Sequence, residues 1–152
     1  MSDLRTWFRD FAGDLQVEGA QLDEDDGLET AVVLSLFTDR RANDDDALPD
    51  SAGQAERERR GWWGDSYAEV TGDRIGSRLW LLSREKQLAS VLERARQYAD
   101  EALRWLVEDG VAREVTVSAE VVRSGVLGLQ VEIVRPRVPV SRFRFETFWK
   151  GA

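Results

Sequence analysis

Leu88-Ala89-Ser90-Val91-Leu92-Glu93-Arg94-Ala95-Arg96-Gln97-Tyr98-Ala99-Asp100-Glu101-Ala102-Leu103-Arg104-Trp105-Leu106, followed by Val115-Thr116-Val117-Ser118-Ala119-Glu120-Val121, is the stretch that decides the fold. In the first segment Leu88, Val91, Leu92, Ala95, Tyr98, Ala99, Ala102, Leu103 and Leu106 recur at helical spacing, and Glu93, Arg94, Arg96, Gln97, Asp100, Glu101 and Arg104 fill the other side. That period predicts an amphipathic α-helix, with Gly110 as its stop. In the second segment the period drops to two, which predicts a strand with one buried face. After Arg123-Ser124-Gly125 the alternation resumes with Leu127, Leu129, Val131 and Ile133, so the two runs read as a β-hairpin. Pro136 and Pro139 bound a link to a third alternating run, Val140 to Trp149. It sets Phe143, Phe145, Thr147 and Trp149 against Arg142, Arg144, Glu146 and Phe148.

Upstream the signals are more mixed. Trp7, Phe8 and Phe11, a Gly13-Asp14 turn signal, then Leu15-Gln16-Val17-Glu18 predict a short hairpin. Asp23-Glu24-Asp25-Asp26-Gly27 reads as an acidic loop leading into a helix over Leu28 to Arg40. That run is apolar nearly all round. The acidic flank before it and the basic flank after it favour helix through the macrodipole, against the β-branched Val32-Val33 pair. Residues 42–60 are polar and read as a long exposed loop, closed by Gly61-Trp62-Trp63-Gly64-Asp65. Ile75 to Leu82 is again apolar, and Ser83 is an N-cap for the long helix. The expectation is a single α+β domain over residues 1–152. A long amphipathic helix and one or two further helices pack on a small antiparallel sheet with a C-terminal β-hairpin. Residues 1–27 would hold the N-terminal hairpin and acidic loop, 28–110 the helical part, and 111–152 the β part and aromatic tail. No internal repeat is evident.

Composition narrows the function classes. The 152 residues contain no cysteine and no histidine. Disulfides, thiolate zinc sites, cysteine nucleophiles, a Ser-His-Asp triad and histidine-ligated metals are thereby excluded. Lys and Arg number 21 against 29 Asp and Glu, for a net charge of −8. A net-negative chain has no general attraction for nucleic acid or anionic membrane, and no apolar run is long enough to span a bilayer. The N-terminus lacks the features of a signal peptide. A local basic cluster sits at Arg57, Arg59 and Arg60.

The candidate chemistry is sparse. With Gly27 at the sixth position of a calcium loop, the first ligand position is Leu22 and the twelfth is Val33, where carboxylates are required. The acidic run is therefore read as solvated, and so is Asp44-Asp45-Asp46. Asp65 beside Trp62-Trp63, with Glu69 as partner, fits the needs of a carboxylate-pair glycan hydrolase, which requires no histidine. Acidic residues are so frequent here that some pair always presents itself. Glycine-flanked Trp62 and Trp63 read better as a core plug or interface anchor. Arginine is enriched with tryptophan at interface hot spots, and Arg40, Arg41, Arg60 and Arg78 lie near in sequence. Gly125-Val126-Leu127-Gly128 has no phosphate-loop continuation and reads as hairpin glycine. The aromatic C-terminal run is a third sheet strand or an arm that pairs with another chain.

One resemblance gathers these features. Leu28-Glu29-Thr30-Ala31-Val32, Ser35-Leu36-Phe37-Thr38-Asp39-Arg40-Arg41-Ala42 with Asp45-Asp46, Arg60-Gly61-Trp62-Trp63-Gly64-Asp65, and Ile75-Gly76-Ser77-Arg78-Leu79-Trp80-Leu81-Leu82-Ser83-Arg84-Glu85-Lys86 together resemble the Mu-type phage baseplate protein family. That family is similar in organisation to the sheath initiators of contractile tails. The resemblance implies a non-enzymatic baseplate subunit without cofactor, in the virion tail after assembly in the host cytoplasm. Its implied partners are a baseplate wedge protein, the tail sheath subunit, and the tail tube or spike hub protein. Trp62, Trp63, Asp65, Arg40, Arg41, Arg78 and Trp80 would be interface or structural residues. Val131, Ile133, Phe143, Phe145 and Trp149 would serve strand augmentation or docking. Where the wider relatives often carry Glu-Pro-Arg after the long helix, this chain has Glu108-Asp109-Gly110-Val111-Ala112-Arg113.

Overall fold

The computed structural model describes residues 27–48, 61, 63–69, 74–82 and 89–148, together with the backbone of short strands between residues 3 and 25. Its frame is a three-stranded antiparallel meander at the C-terminal end. Strands β7 (Glu114–Arg123), β8 (Val126–Val134) and β9 (Ser141–Phe148) lie in the order β7-β8-β9. Ser124 and Gly125 turn the hairpin, with Gly125 at φ 78°, a left-handed conformation that glycine adopts freely. The ladder sets Val117 opposite Val131 and Val131 opposite Phe143, then Ala119, Leu129 and Phe145 in the next row. These rows form the inner face. Val131 and Ile133 are fully buried, and Leu129 and Phe145 nearly so. Phe143 and Phe145 stack at 6.3 Å.

The outer face of the same sheet is charged. Arg142 donates to Glu132 at 2.9 Å, Arg144 to Glu120 at 3.2 Å, and Arg123 lies 3.5 Å from Glu146. Gly128 sits mid-strand between Glu120 and Glu146. It is not a turn glycine: a Cβ there would approach Val122 Cγ2 at 2.6 Å. Val122, at a register shift between Val121 and Arg123, fills that space.

Two helices cover the inner face. Helix α2 (Ala89–Leu103) packs on β7, and α1 (Leu28–Phe37) packs on α2. Phe37, at the end of α1, meets Phe145 of β9 edge-on at 5.6 Å. Val91, Ala95, Ala99, Ala102, Leu103 and Leu106 are buried in the core they share with Val32, Val33 and Leu36. The helical stretch is not one rod. It tightens at Arg104, and a short helix α3 (Trp105–Glu108) carries it to Gly110 at φ 75°.

Several expectations need correction. Arg9 pairs with Ala12, joining β2 (Thr6–Arg9) to β3 (Ala12–Leu15), so Gly13 and Asp14 lie within a strand rather than at the turn. Two further two-residue ladders pair β1 (Asp3–Leu4) with β6 (Glu24–Asp25) and β4 (Val17–Glu18) with β5 (Gln21–Leu22). Part of the acidic run is thus strand, not loop, and only Glu29 is acidic in the first turn of α1. That helix ends at Phe37, before Arg40 and Arg41, so the basic pair does not complement its dipole. Ala42 is buried and Asp46 half-buried, so the segment after α1 is not wholly exposed. Residues 49–60, the Ser83 cap and Leu88 lie outside the described residues.

Candidate functional site: a clasp around Arg78

The two apolar segments on either side of the 42–60 stretch come together as a clasp. Asp39 and Ser77 form an isolated parallel bridge, in which Ser77 N–H donates to Thr38 O at 2.9 Å and Arg40 N–H to Ser77 O at 3.0 Å. Gly76 makes this approach feasible. Its φ is 94°, and a Cβ would run into the Thr38 carbonyl. The Ser77 hydroxyl, 1% exposed, donates to Leu36 O at 2.5 Å and so satisfies a carbonyl of the last turn of α1. The Trp80 indole N–H donates to Arg40 O at 2.7 Å.

Arg78 is the hub. It begins a 3-10 turn, Arg78–Leu82, that carries Trp80, Leu81 and Leu82 into the interior. Its Nη1 reaches both Asp46 carboxylate oxygens, at 2.8 and 3.0 Å, while Nε donates to Glu101 on α2 at 3.0 Å. The guanidinium lies 4.5 Å from the Tyr98 ring centroid. The Arg78 side chain is 15% exposed, so these contacts are only weakly screened. Burial works against its charged form. Hydrogen bonds to Asp46 and Glu101, with their negative charges, outweigh that and hold the guanidinium above its usual range. The Asp46 carboxylate also accepts the Asn43 N–H at 2.7 Å, which shapes the turn that presents it.

Two further contacts complete the arrangement. Asp65, in the 3-10 turn Trp63–Tyr67, accepts the Ile75 N–H on Oδ1 at 3.1 Å. Trp105 donates to Ser35 Oγ at 3.0 Å, and that hydroxyl donates to Ala31 O at 2.7 Å, which links α3 to α1.

The clasp brings Arg40, Asp65, Arg78 and Trp80 into one framework of contacts. Arg41 is exposed beside Gly61, whose added Cβ would stand 3.0 Å from Arg41 Cβ. Trp62, the Trp63 side chain and Trp149 lie outside what the structure describes. Val131 and Ile133 sit on the central strand, whose two edges are both paired, and their side chains are in the core. Phe143 and Phe145 face the same core from β9. Among the described residues, the unpaired backbone edges of this sheet are those of β7 and β9. Sequence reasoning missed Asp46, Glu101, Tyr98, Ser77 and Ser35. Asp46 was read as solvated with its neighbours, and no local pattern separates it from Asp44 or Asp45. Tyr98 and Glu101, three apart on one helix, carried the only usable signal.

Among the described residues, no cluster of acidic side chains is placed to hold a metal, and no helix is long and apolar enough to cross a membrane. Glu69 is exposed, and one oxygen of its supposed catalytic partner Asp65 is engaged by backbone. The polar contacts of the clasp join one part of this chain to another. Fold and clasp therefore define an α+β scaffold braced from within.

Sequence comparison places that scaffold. Residues 28–139 match the family described as "Phage protein GP46". The chain is 45% identical over 151 residues to "Baseplate protein gp46" of Escherichia phage Mu, covering 99% of each. It is 40% identical to "Mu-like prophage FluMu protein gp46" of Haemophilus influenzae, covering 98% of each. The chain belongs to the phage protein GP46 family.

Proposed function

We propose that this protein is a non-enzymatic structural subunit of a contractile phage or phage-like tail baseplate. It connects wedge and tube components, and it templates sheath assembly by offering a sheet edge to a strand of the sheath subunit. The observation that carries the reading is the likeness to the Mu baseplate protein along essentially the whole chain. The sheet supports the finer mechanism. Strand β7 is ten residues long and, among the described residues, pairs only on its β8 side. Strand β2 of the N-terminal hairpin approaches β9, whereas β7 is approached, besides β8, chiefly by the helices α2 and α3. Unpaired edge N–H and C=O groups are a template for another strand. The protein works in the virion tail, after assembly in the host cytoplasm.

Proline tests the edge. In an antiparallel ladder, neighbouring residues point their N–H groups to opposite sides. Ser118→Pro and Ala119→Pro therefore separate the two roles. One should weaken the fold, and the other should keep it while lowering affinity for purified sheath subunit at least tenfold. Undiminished sheath binding by both folded variants would sink the edge mechanism. The rival glycan hydrolase reading predicts turnover of peptidoglycan fragments that disappears in Asp65→Asn. Asparagine keeps the Oδ1 that accepts Ile75 N–H, so the fold survives that change. We expect no turnover by either form.

A further inference from the structure

Seven large apolar side chains are exposed among the described residues, and three of them, Val111, Val138 and Val140, lie in the connections at one end of the sheet. There β7 begins, β8 ends and β9 begins. Arg113 N–H donates to Val134 O at 2.8 Å, which fixes the α3–β7 connection against the end of β8. The β8–β9 connection, Arg135-Pro136-Arg137-Val138-Pro139-Val140, forms the tip.

Three properties of this tip exceed what a connection requires. Arg137 sits at φ 64°, the one non-glycine residue with positive φ among those described. Side chains other than glycine pay for that conformation, and such strain tends to gather where a side chain is used. Pro136 and Pro139 remove backbone donors and fix φ, so the tip cannot add a strand but is stiffened in advance. Lastly, the arginines differ. Arg123, Arg142 and Arg144 on the sheet each hold a carboxylate, whereas exposed Arg113 and Arg137 have no ion pair among the described residues.

We propose that this tip is a preorganised plug. Val138 and Val140 seat in an apolar pocket of a neighbouring protein in the particle, and a carboxylate on the pocket rim takes Arg137. The inference rests on the baseplate reading above, but it concerns a surface separate from the β7 edge. A second copy is a poor fit tip to tip, because its arginines would meet these. Glu108 ends α3, Asp109 lies in the α3–β7 connection and Glu114 begins β7, so the β8–β9 tip, residues 135–140, itself contributes only positive charge.

The test is a photo-crosslinker at position 138 in particles assembled with this chain, with crosslinked peptides read by mass spectrometry. The expected product joins position 138 to one segment of a different particle protein that carries apolar residues flanked by Asp or Glu. A companion variant, Arg137→Gly, should keep or raise the unfolding midpoint, because glycine suits the left-handed backbone, yet cut the crosslink yield severalfold. The plug is overturned if the chain enters particles and position 138 gives no crosslink, or joins only another copy of itself. It is overturned equally if Arg137→Gly leaves the yield unchanged. Absence of the chain from purified particles would overturn the baseplate reading and the plug together.

Discussion

At the scale of single residues, Arg78 shows how an ordinary surface residue type becomes structural. Its planar head donates to Asp46 and Glu101 at once and lies over Tyr98. Lysine carries the same charge but cannot present that fork. Arg78→Met leaves two half-buried carboxylates without their partner, which should cost about 2–3 kcal/mol, between the values for surface and buried ion pairs. Arg78→Lys should recover only part of it. Urea unfolding measures both, and equal stability of wild type and Arg78→Met would show that the hub is dispensable. The pH sense follows from the raised guanidinium pKa. Stabilisation from a raised base is fully present below its unfolded value and is lost only as pH climbs through the folded one. The Arg78 contribution should therefore stay flat across neutral pH and fade only in strong alkali.

At the scale of elements, the spacing of small residues sets how closely helix and sheet approach. Ala95 and Ala99 are completely buried in the core that α2 shares with the sheet and α1. Ala99→Leu should force the layers apart and cost about 1–3 kcal/mol by overpacking. A variant as stable as the parent would mean that the interface holds spare volume. The same elements show what can be read from sequence. The long helix and the three C-terminal strands were legible because each buries one face, and burial writes a period into the chain. Leu28 to Phe37 was harder, since it is covered on several sides and its period is blurred. The short strands before residue 26 left no period at all, and the Gly13-Asp14 turn signal misled because pairing, not propensity, placed the turn. The clasp was half legible. Arg78 and Trp80 stood out by type, but Asp46 did not, because its partner lies 32 positions away and ion pairs leave no periodic trace.

At the scale of the whole molecule, one layer of helices closes one side of the sheet and leaves the other side to a lattice of arginine–carboxylate pairs. Glu120 to Arg144, Glu132 to Arg142 and Glu146 to Arg123 link all three strands across that outer face. These are exposed pairs, each worth little alone. They keep the face polar, which directs association towards strand edges and connections instead of face-to-face stacking. The two contacts proposed above thus use separable surfaces, the β7 edge and the tip between β8 and β9.

The clasp has a kinetic consequence. The bonds from Ser77 to Leu36, from Trp80 to Arg40 and from Arg78 to Asp46 span 41, 40 and 32 residues, and that from Trp105 to Ser35 spans 70. The meander, by contrast, is built from neighbours joined by short turns. Loop closure costs entropy before long-range contacts return it, so the order of events should follow contact distance. The three C-terminal strands and α2 should organise in the folding transition state, and α1 should be locked afterwards. Val117→Ala should then slow refolding, whereas Ser77→Ala should mainly speed unfolding. Stopped-flow chevrons distinguish the two, and the reverse pattern would refute the order. During its own folding, the chain would form its three C-terminal strands first and its internal brace last.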